Sequence, residues 1–356
     1  MTQDFLIIGG GIAGLSAGAR LSDLGTVTLL EAEDALGYHS SGRSAALYEA
    51  QYGQPPVVAL SIASGAHYHA GGYLKPRGTM LVAGADDRDR FEEEARTFKL
   101  DHVTMTQARE IVPILNPETV AYAAWHDNAW DIDTDRQLQD FARQIRAKGG
   151  AVITGARVTA IARDGTGWTV EAGDTYRART LVNAAGAWAD TVATMAGIAP
   201  MAIRPFRRSM ARIPAPGGHD ISAWPMLIGV NDSWYAKPDA GMLLVSPSEE
   251  DPAEPHDAWA DDMVLAEGLA RYEAMVTEPV TRLAANWAGL RSFAPDRVLV
   301  LGPDPDQRDF IWCAGQGGYG FQTAPAASQF LADLVAGRAS DLDAETQRAI
   351  RPERLR

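Results

Sequence analysis

The spacing of apolar residues changes twice before position 31. From Phe5 to Ile8 the chain is continuously apolar, the pattern of a parallel strand covered on both faces. From Ile12 to Leu24 apolar and small residues, Ile12, Leu15 and Ala19 among them, recur at helical spacing, and Gly25 stands where a helix C-terminal glycine belongs. "TVTLLE" then supplies a second strand ending in Glu31. The pattern predicts a βαβ unit. Further on, Thr134 to Lys148 reads as an amphipathic helix capped by Asp133 or Thr134, with Leu138, Phe141, Ala142 and Ile145 on one face.

"AVITGARVTAIARD" and "GWTVEA" read as a β excursion, and "ARTLVNAAGAWAD" as a buried strand running through a glycine turn into a small-residue helix. Residues 206–295 are rich in Trp, Pro, Met and Tyr, with strand signals at "WPMLIGV" and "GMLLVSP". "SEEDPAEPHD", from Ser248 to Asp257, reads as a loop. "VLVLGPD" and "FIWCAGQGGYGFQTAPAASQFLADLVAGR" return to strand, glycine turn and helix. The expected fold is α/β: a discontinuous Rossmann-like domain made of 1–78, 137–205 and 296–356, and an α+β domain on a mixed β-sheet made of 79–136 and 206–295.

A length of 356 residues, 46% of them hydrophobic and 22% charged, suits an enzyme-sized globular body. The formal charge of −14 argues against a nucleic-acid partner, which basic patches bind. Cys313 is the only cysteine, which excludes an intrachain disulfide and a thiolate cluster and fits a reducing compartment. "MTQDFLIIGGG" leaves no room for a signal sequence, and no apolar run reaches the length of a membrane span. The expectation is a cytoplasmic protein without an integral membrane segment.

Gly9, Gly11 and Gly14 form G-x-G-x-x-G between the first strand and the helix, and Glu31 follows 17 positions later. In such a loop the first glycine permits the tight turn, the second lets the backbone approach a pyrophosphate, and the third lets helix and strand pack closely. The diphosphate then faces the helix N-terminus at Ile12 and Ala13, and Glu31 accepts hydrogen bonds from the ribose. Both NAD and FAD use this unit. A flavin also needs turns along its ribityl chain and ring, and three are present. "SSGRSAA" offers Ser41, Gly42, Arg43, Ser44 and Ala45; "NAAGAWAD" offers Ala185 and Gly186; "GQGGYGFQT" offers Gly317, Gly318, Tyr319, Gly320, Gln322 and Thr323. Together they favour FAD.

The N-terminal loop, "GYHSSGRSAALY", "DIDTD", "LVNAAGAWAD", "WAGLRSF" and "GQGGYGFQT" resemble the D-amino-acid oxidase, glycine oxidase and sarcosine oxidase family, and within it the D-arginine dehydrogenases, also at "RRSMA", "WPML" and "YAKPDAGMLLVSP". The resemblance implies noncovalent FAD, with Val158 among its contacts. It implies that Arg208 and Arg291 hold a substrate α-carboxylate, that Tyr52 and Tyr235 line the pocket, and that the Gly318 carbonyl meets the substrate amine. A guanidinium suits that task because its planar fork of donors matches a carboxylate and stays charged. The implied reaction is oxidation of a D-amino acid at Cα, with hydride passing to flavin N5 and the imine hydrolysing to a keto acid and ammonia.

Two pocket positions depart from the D-arginine dehydrogenases: Thr79 stands where they place a glutamate facing the cationic end of the substrate, and Leu47 where they have a histidine. The expectation is a preference for neutral or hydrophobic D-amino acids. Leu243, aligned with a lysine that promotes O₂ reaction in sarcosine oxidases, favours a dehydrogenase that passes electrons to a quinone or similar carrier. His39 stands near a position that carries covalent flavin in related dehydrogenases, and Cys313 reads as a buried core residue. The other histidines, His67 and His69 included, show no metal-ligand spacing, so no metal is expected. Asp86, Asp87 and Glu92 to Glu94 read as a solvated face. A glycine or sarcosine oxidase that makes hydrogen peroxide, and a nucleotide-binding module without turnover, remain as alternatives.

Overall fold

The computed structural model of the chain describes residues 2–356. Strand β1 (Thr2–Ile8) lies between β2 (Val27–Leu30) and the strand Asp174–Asn183, parallel to both. Ala151–Ile153 continues the parallel sheet beyond β2, and Phe310–Ala314 continues it beyond Asn183. The continuous apolar run has its explanation in what covers β1. Phe5 and Ile7 pack under helix α1 (Ile12–Leu21), Thr134–Ala147 and Gly320–Ala336, while Leu6 and Ile8 pack on the other face against Trp168, Val170 and Val192.

Two details differ from the sequence reading. Helix α1 stops at Leu21, one turn early, because Ser22 to Leu24 fold back in a turn. Gly25 is needed for a close approach instead: a Cβ there would lie 2.7 Å from the Asp4 side chain. Ala151–Ile153 belongs to the central parallel sheet, and only Ala160–Arg163 and Trp168–Ala172 make the antiparallel excursion. His67 and His69 sit on the helix Pro55–Gly71, where His67 stacks at 5.4 Å on Tyr73 and His69 meets Trp130 edge-on at 5.0 Å.

The second sheet is mixed and, among the described residues, has nine strands. Its long pair is Arg204–Pro214 antiparallel to Ala285–Phe293, which sets Arg208 opposite Gly289 and Arg291 opposite Phe206. Thr79–Ala83 runs parallel to Met226–Gly229, and Tyr235–Asp239 closes against the latter. A small sheet of Leu47–Tyr48, Trp130–Ile132 and Leu74–Pro76 lies apart from both. Among the described residues no group of three His, Cys, Asp or Glu could hold a metal, and no helix is long and apolar enough to cross a membrane.

Candidate active site

The C-terminal ends of β1, β2 and Asp174–Asn183 converge on one end of a long trough. Gly9 sits at φ +112°, and a Cβ there would overlap the Ala184 carbonyl; a Cβ on Gly14 would overlap the Gly9 oxygen. Gly14 therefore seats α1 against the strand and does not itself line the trough. Gly11 caps α1 without a side-chain bond and no acid occupies the first turn, so this positive helix end is open to an anion. The Ile12 N–H meets the Ser41 hydroxyl at 3.0 Å. Glu31 is buried, and its two oxygens accept the Gly10 N–H at 2.7 Å and the Glu33 N–H at 2.9 Å. A carboxylate has about four acceptor positions, so capacity remains for ribose hydroxyls. This section, ≈ 940 Å³, is also lined by His39, Val158, Ala185 and Trp188.

A middle section of ≈ 990 Å³ shares Gly11, Ser41, Ala184 and Gly186 with the first. Ile12, Ala13, Arg43, Ser44, Ala45, Gly317, Gly318, Gly320 and Gln322 line it, together with Gln316, Gly289 and Leu290, which sequence reasoning missed because nothing local marks them. Arg43 contributes its near part only. Its guanidinium turns away to the Ala258 and Ala288 carbonyls, at 2.8 and 3.0 Å, and to Asp257. Gly42, Tyr319 and Thr323, expected at the cofactor, support the wall from behind. The Gly42 N–H bonds the Gly37 carbonyl at 2.6 Å, Tyr319 is buried against Tyr52, and the Thr323 hydroxyl bonds the Tyr319 carbonyl at 2.8 Å.

The third section, ≈ 1270 Å³ with its open mouth, shares Ser44 to Leu47, Tyr235, Arg291, Gly318 and Gln322 with the second. Tyr52 lines it, its carbonyl held by the Gln322 amide at 3.1 Å. Arg291 donates to the Tyr52 hydroxyl at 3.4 Å and, among the described residues, makes no ion pair. Burial works against its charge, but the hydroxyls of Tyr52 and Tyr235 and the Asp232 carboxylate outweigh this and raise its pKa. A Cβ on Gly318 would lie 3.1 Å from the Arg291 guanidinium carbon, so a glycine there gives the guanidinium its room.

Arg208 differs. Its guanidinium is buried 6.0 Å from the Tyr235 ring centre, bonds the Glu249 carbonyl at 3.0 Å, and pairs with Asp232 at 3.4 Å and Glu250 at 3.3 Å. It lines the middle section, beside Tyr235. The run Ser248 to Asp257 is thus more than a solvated loop: Glu249 accepts the Ser209 N–H at 2.6 Å, burial raises its pKa, and Glu250 bridges Arg208 and Arg297. Glu94, read as solvated, lines the third section. It accepts the Asn231 N–H at 3.0 Å, and burial raises its pKa.

Three further placements revise the sequence reading. Thr79 is fully buried behind the cavity wall, where its hydroxyl donates to Glu49 Oε2 at 3.1 Å; Leu47 does line the cavity, but Glu49 gives it a carboxylate. Leu243 faces the core of the second sheet, paired with Ile213 and Pro238, and lines none of the three sections, so it is no guide to O₂ reactivity. His39 lies at the Glu31 end, 4.7 Å from the Trp188 ring and 3.1 Å from Glu33, away from the section shared with Arg291. Cys313 is buried behind Ala13, and burial pushes its thiol pKa up to about 12.

A nucleotide-binding unit thus opens into a cavity holding an arginine that makes no ion pair among the described residues, and comparison with known proteins gives the class. The chain belongs to the FAD dependent oxidoreductase family, which it matches over residues 4–334, and FAD is its cofactor. It is 25% identical over 275 residues to the hydrogen cyanide synthase subunit HcnC of Pseudomonas aeruginosa, a match that takes in 72% of this chain and 63% of that subunit. It is 23% identical to the glycine oxidase of Geobacillus kaustophilus over 96% of this chain and 94% of that enzyme. The crystal structure of that glycine oxidase superposes with a TM-score of 0.82 at 22% identity over 97% of this chain and 98% of the other. L-proline dehydrogenase from P. horikoshii gives 0.82 at 21% identity over 98% of both chains. The cradle fits the cofactor: two glycines whose Cβ atoms would meet backbone set the strand–helix turn, and the open helix N-terminus and a buried acid line one trough.

Proposed function

We propose that the protein oxidises D-amino acids at Cα, as a dehydrogenase that hands electrons to a quinone or similar carrier. The observation that carries this reading is Arg291: a guanidinium that makes no ion pair among the described residues, at the boundary between the cofactor section and the open cavity. A substrate α-carboxylate satisfies it, which fixes the neighbouring carbon beside the cofactor wall. Glycine and proline, named for two of the relatives, share an amine on the carbon next to a carboxylate. One is achiral and the other L, so the D hand and the carrier rest on the resemblance to D-arginine dehydrogenases.

Bound flavin supplies the two-electron acceptor. The chain's own residues do the rest. Arg291 and Tyr52 grip the carboxylate, the Gly318 carbonyl accepts from the amine, and Tyr235 closes the wall. Arg208 supports the grip from beside Tyr235 while Asp232 and Glu250 hold it in place. We also propose the division into 1–78, 137–205 and 296–356 against 79–136 and 206–295, supported by the segregation of strands into two large sheets. Glycine or sarcosine oxidation is the second reading, favoured by the glycine oxidase likeness over nearly the whole chain. Anaerobic mixing with D- and L-amino acids, glycine and sarcosine decides between them. Bleaching of the flavin band near about 450 nm by D-amino acids supports the first reading, and bleaching by glycine or sarcosine alone supports the second. Slow recolouring in air, with fast recolouring by an added quinone, is expected of a dehydrogenase.

A further inference from the structure

The cavity that holds an arginine without an ion pair also holds a buried carboxylate that, among the described residues, no Lys or Arg pairs with. Glu49 is 4% exposed and follows the short strand Leu47–Tyr48. Its Oε1 accepts the Gln51 N–H at 3.2 Å and its Oε2 the Thr79 hydroxyl at 3.1 Å. His126 Nε2 comes within 3.2 Å of the same Oε2. His126 Nδ1 accepts the Asn128 N–H at 2.9 Å, which turns Nε2 toward Glu49. The partners of Glu49 are thus a backbone N–H, a hydroxyl and an imidazole, and among the described residues no Lys or Arg pairs with it. The other acids of the cavity are committed: Glu94 pairs with Arg90 at 2.9 Å, and Asp232 with Arg208. A buried charge without a counter-charge is costly, and a ligand that brings one removes that cost.

We propose that Glu49 determines specificity, selecting amino acids whose side chain ends in an ammonium or guanidinium group. The proposal rests on the reading of Arg291 as the α-carboxylate site. A zwitterionic head at Arg291 and a cationic tail at Glu49 bring an opposite full charge to each of these two residues of the cavity. The acid does not stand at Thr79, where the D-arginine dehydrogenases carry theirs, but it touches that residue from the neighbouring segment. The neutral preference expected from Thr79 and Leu47 is replaced accordingly.

The test compares anaerobic flavin reduction by D-Arg and D-Lys with that by D-Leu and D-Met in three holoenzymes: the natural protein, Glu49→Gln, and the exchange Glu49→Thr with Thr79→Glu. The natural protein is expected to favour D-Arg and D-Lys. Glu49→Gln should lose about 100-fold in kcat/KM for these two, chiefly through KM, while D-Leu and D-Met stay within about threefold. The exchange returns a carboxylate to the same place and should recover most of the loss, which a merely structural Glu49 would not show. Faster reduction by D-Leu and D-Met than by D-Arg and D-Lys in the natural protein overturns the proposal and leaves the D-amino acid reading standing. An equal loss on all four substrates in Glu49→Gln also overturns it. Bleaching by glycine or sarcosine alone overturns both. If Glu49→Gln fails to retain flavin, the exchange decides, and a flavin-loaded exchange that discriminates against D-Arg counts against the proposal.

Discussion

The two ends of the trough are built from different materials. At the Glu31 end the shape comes from backbone: Gly9 and Gly14 leave no room for a Cβ, and Glu31 is held by the N–H groups of Gly10 and Glu33. At the Arg291 end it comes from charged and aromatic side chains on segments far apart in sequence, with Arg291 meeting Tyr52 across 239 positions and Arg208 meeting Asp232 and Glu250. A backbone-built site is inseparable from the fold, since the same atoms make the sheet and the cradle. A side-chain-built site can change its charges while the fold stands. The first end therefore suits a cofactor common to a family, and the second a substrate that differs between its members.

The sharpest way to break this contrast is at Gly14. A Cβ there overlaps the Gly9 oxygen, so Gly14→Ala should purify without flavin and melt more than about 5 °C lower, by absorbance and thermal unfolding. Retained flavin and unchanged melting would mean that the cradle is not backbone-limited. Next comes Arg291→Lys, which keeps the charge and loses the fork. Flavin content and melting should hold while kcat/KM falls about 1,000-fold, and steady-state kinetics beside a flavin spectrum check both at once. Loss of flavin in that variant would erase the distinction between the two ends.

The smallest effect concerns Glu94. Burial raises its pKa, so between the ordinary carboxylate range and the raised value the folded chain keeps a proton that the unfolded chain has lost. Stability then falls as pH rises through that window. Glu94→Gln, which still accepts the Asn231 N–H, should melt about 1–2 °C above the natural protein at pH 8 and level with it at pH 4. Melting curves across that range give the sign directly, and a variant less stable at pH 8 than at pH 4 relative to the natural protein would show that the charged form is the favoured one.

How much of this was legible follows the same division. The βαβ unit, the three glycines with Glu31, the helix start at Asp133 or Thr134 and the strand–turn–helix from Phe310 to Ala336 each depend on residues close together in sequence, so spacing alone indicated them. Where local reading slipped, as at Gly25, the cause was a neighbour, Asp4, from another element. The charges of the open cavity could not be reached this way. Thr79 suggested an uncharged pocket because the Glu49 carboxylate, 30 positions earlier, touches it only after Leu47–Tyr48 and Thr79–Ala83 have been carried into place by different sheets. Arg208 and Arg291 looked alike in sequence, and only their surroundings make one a held residue and the other a free one. Backbone geometry acts over a few residues along the chain, so the amino-acid order determined the nucleotide cradle. Electrostatic pairing acts over a few ångströms in space, whatever the separation in sequence, so the tertiary structure decided which charges of the cavity are held by neighbours and which are left open.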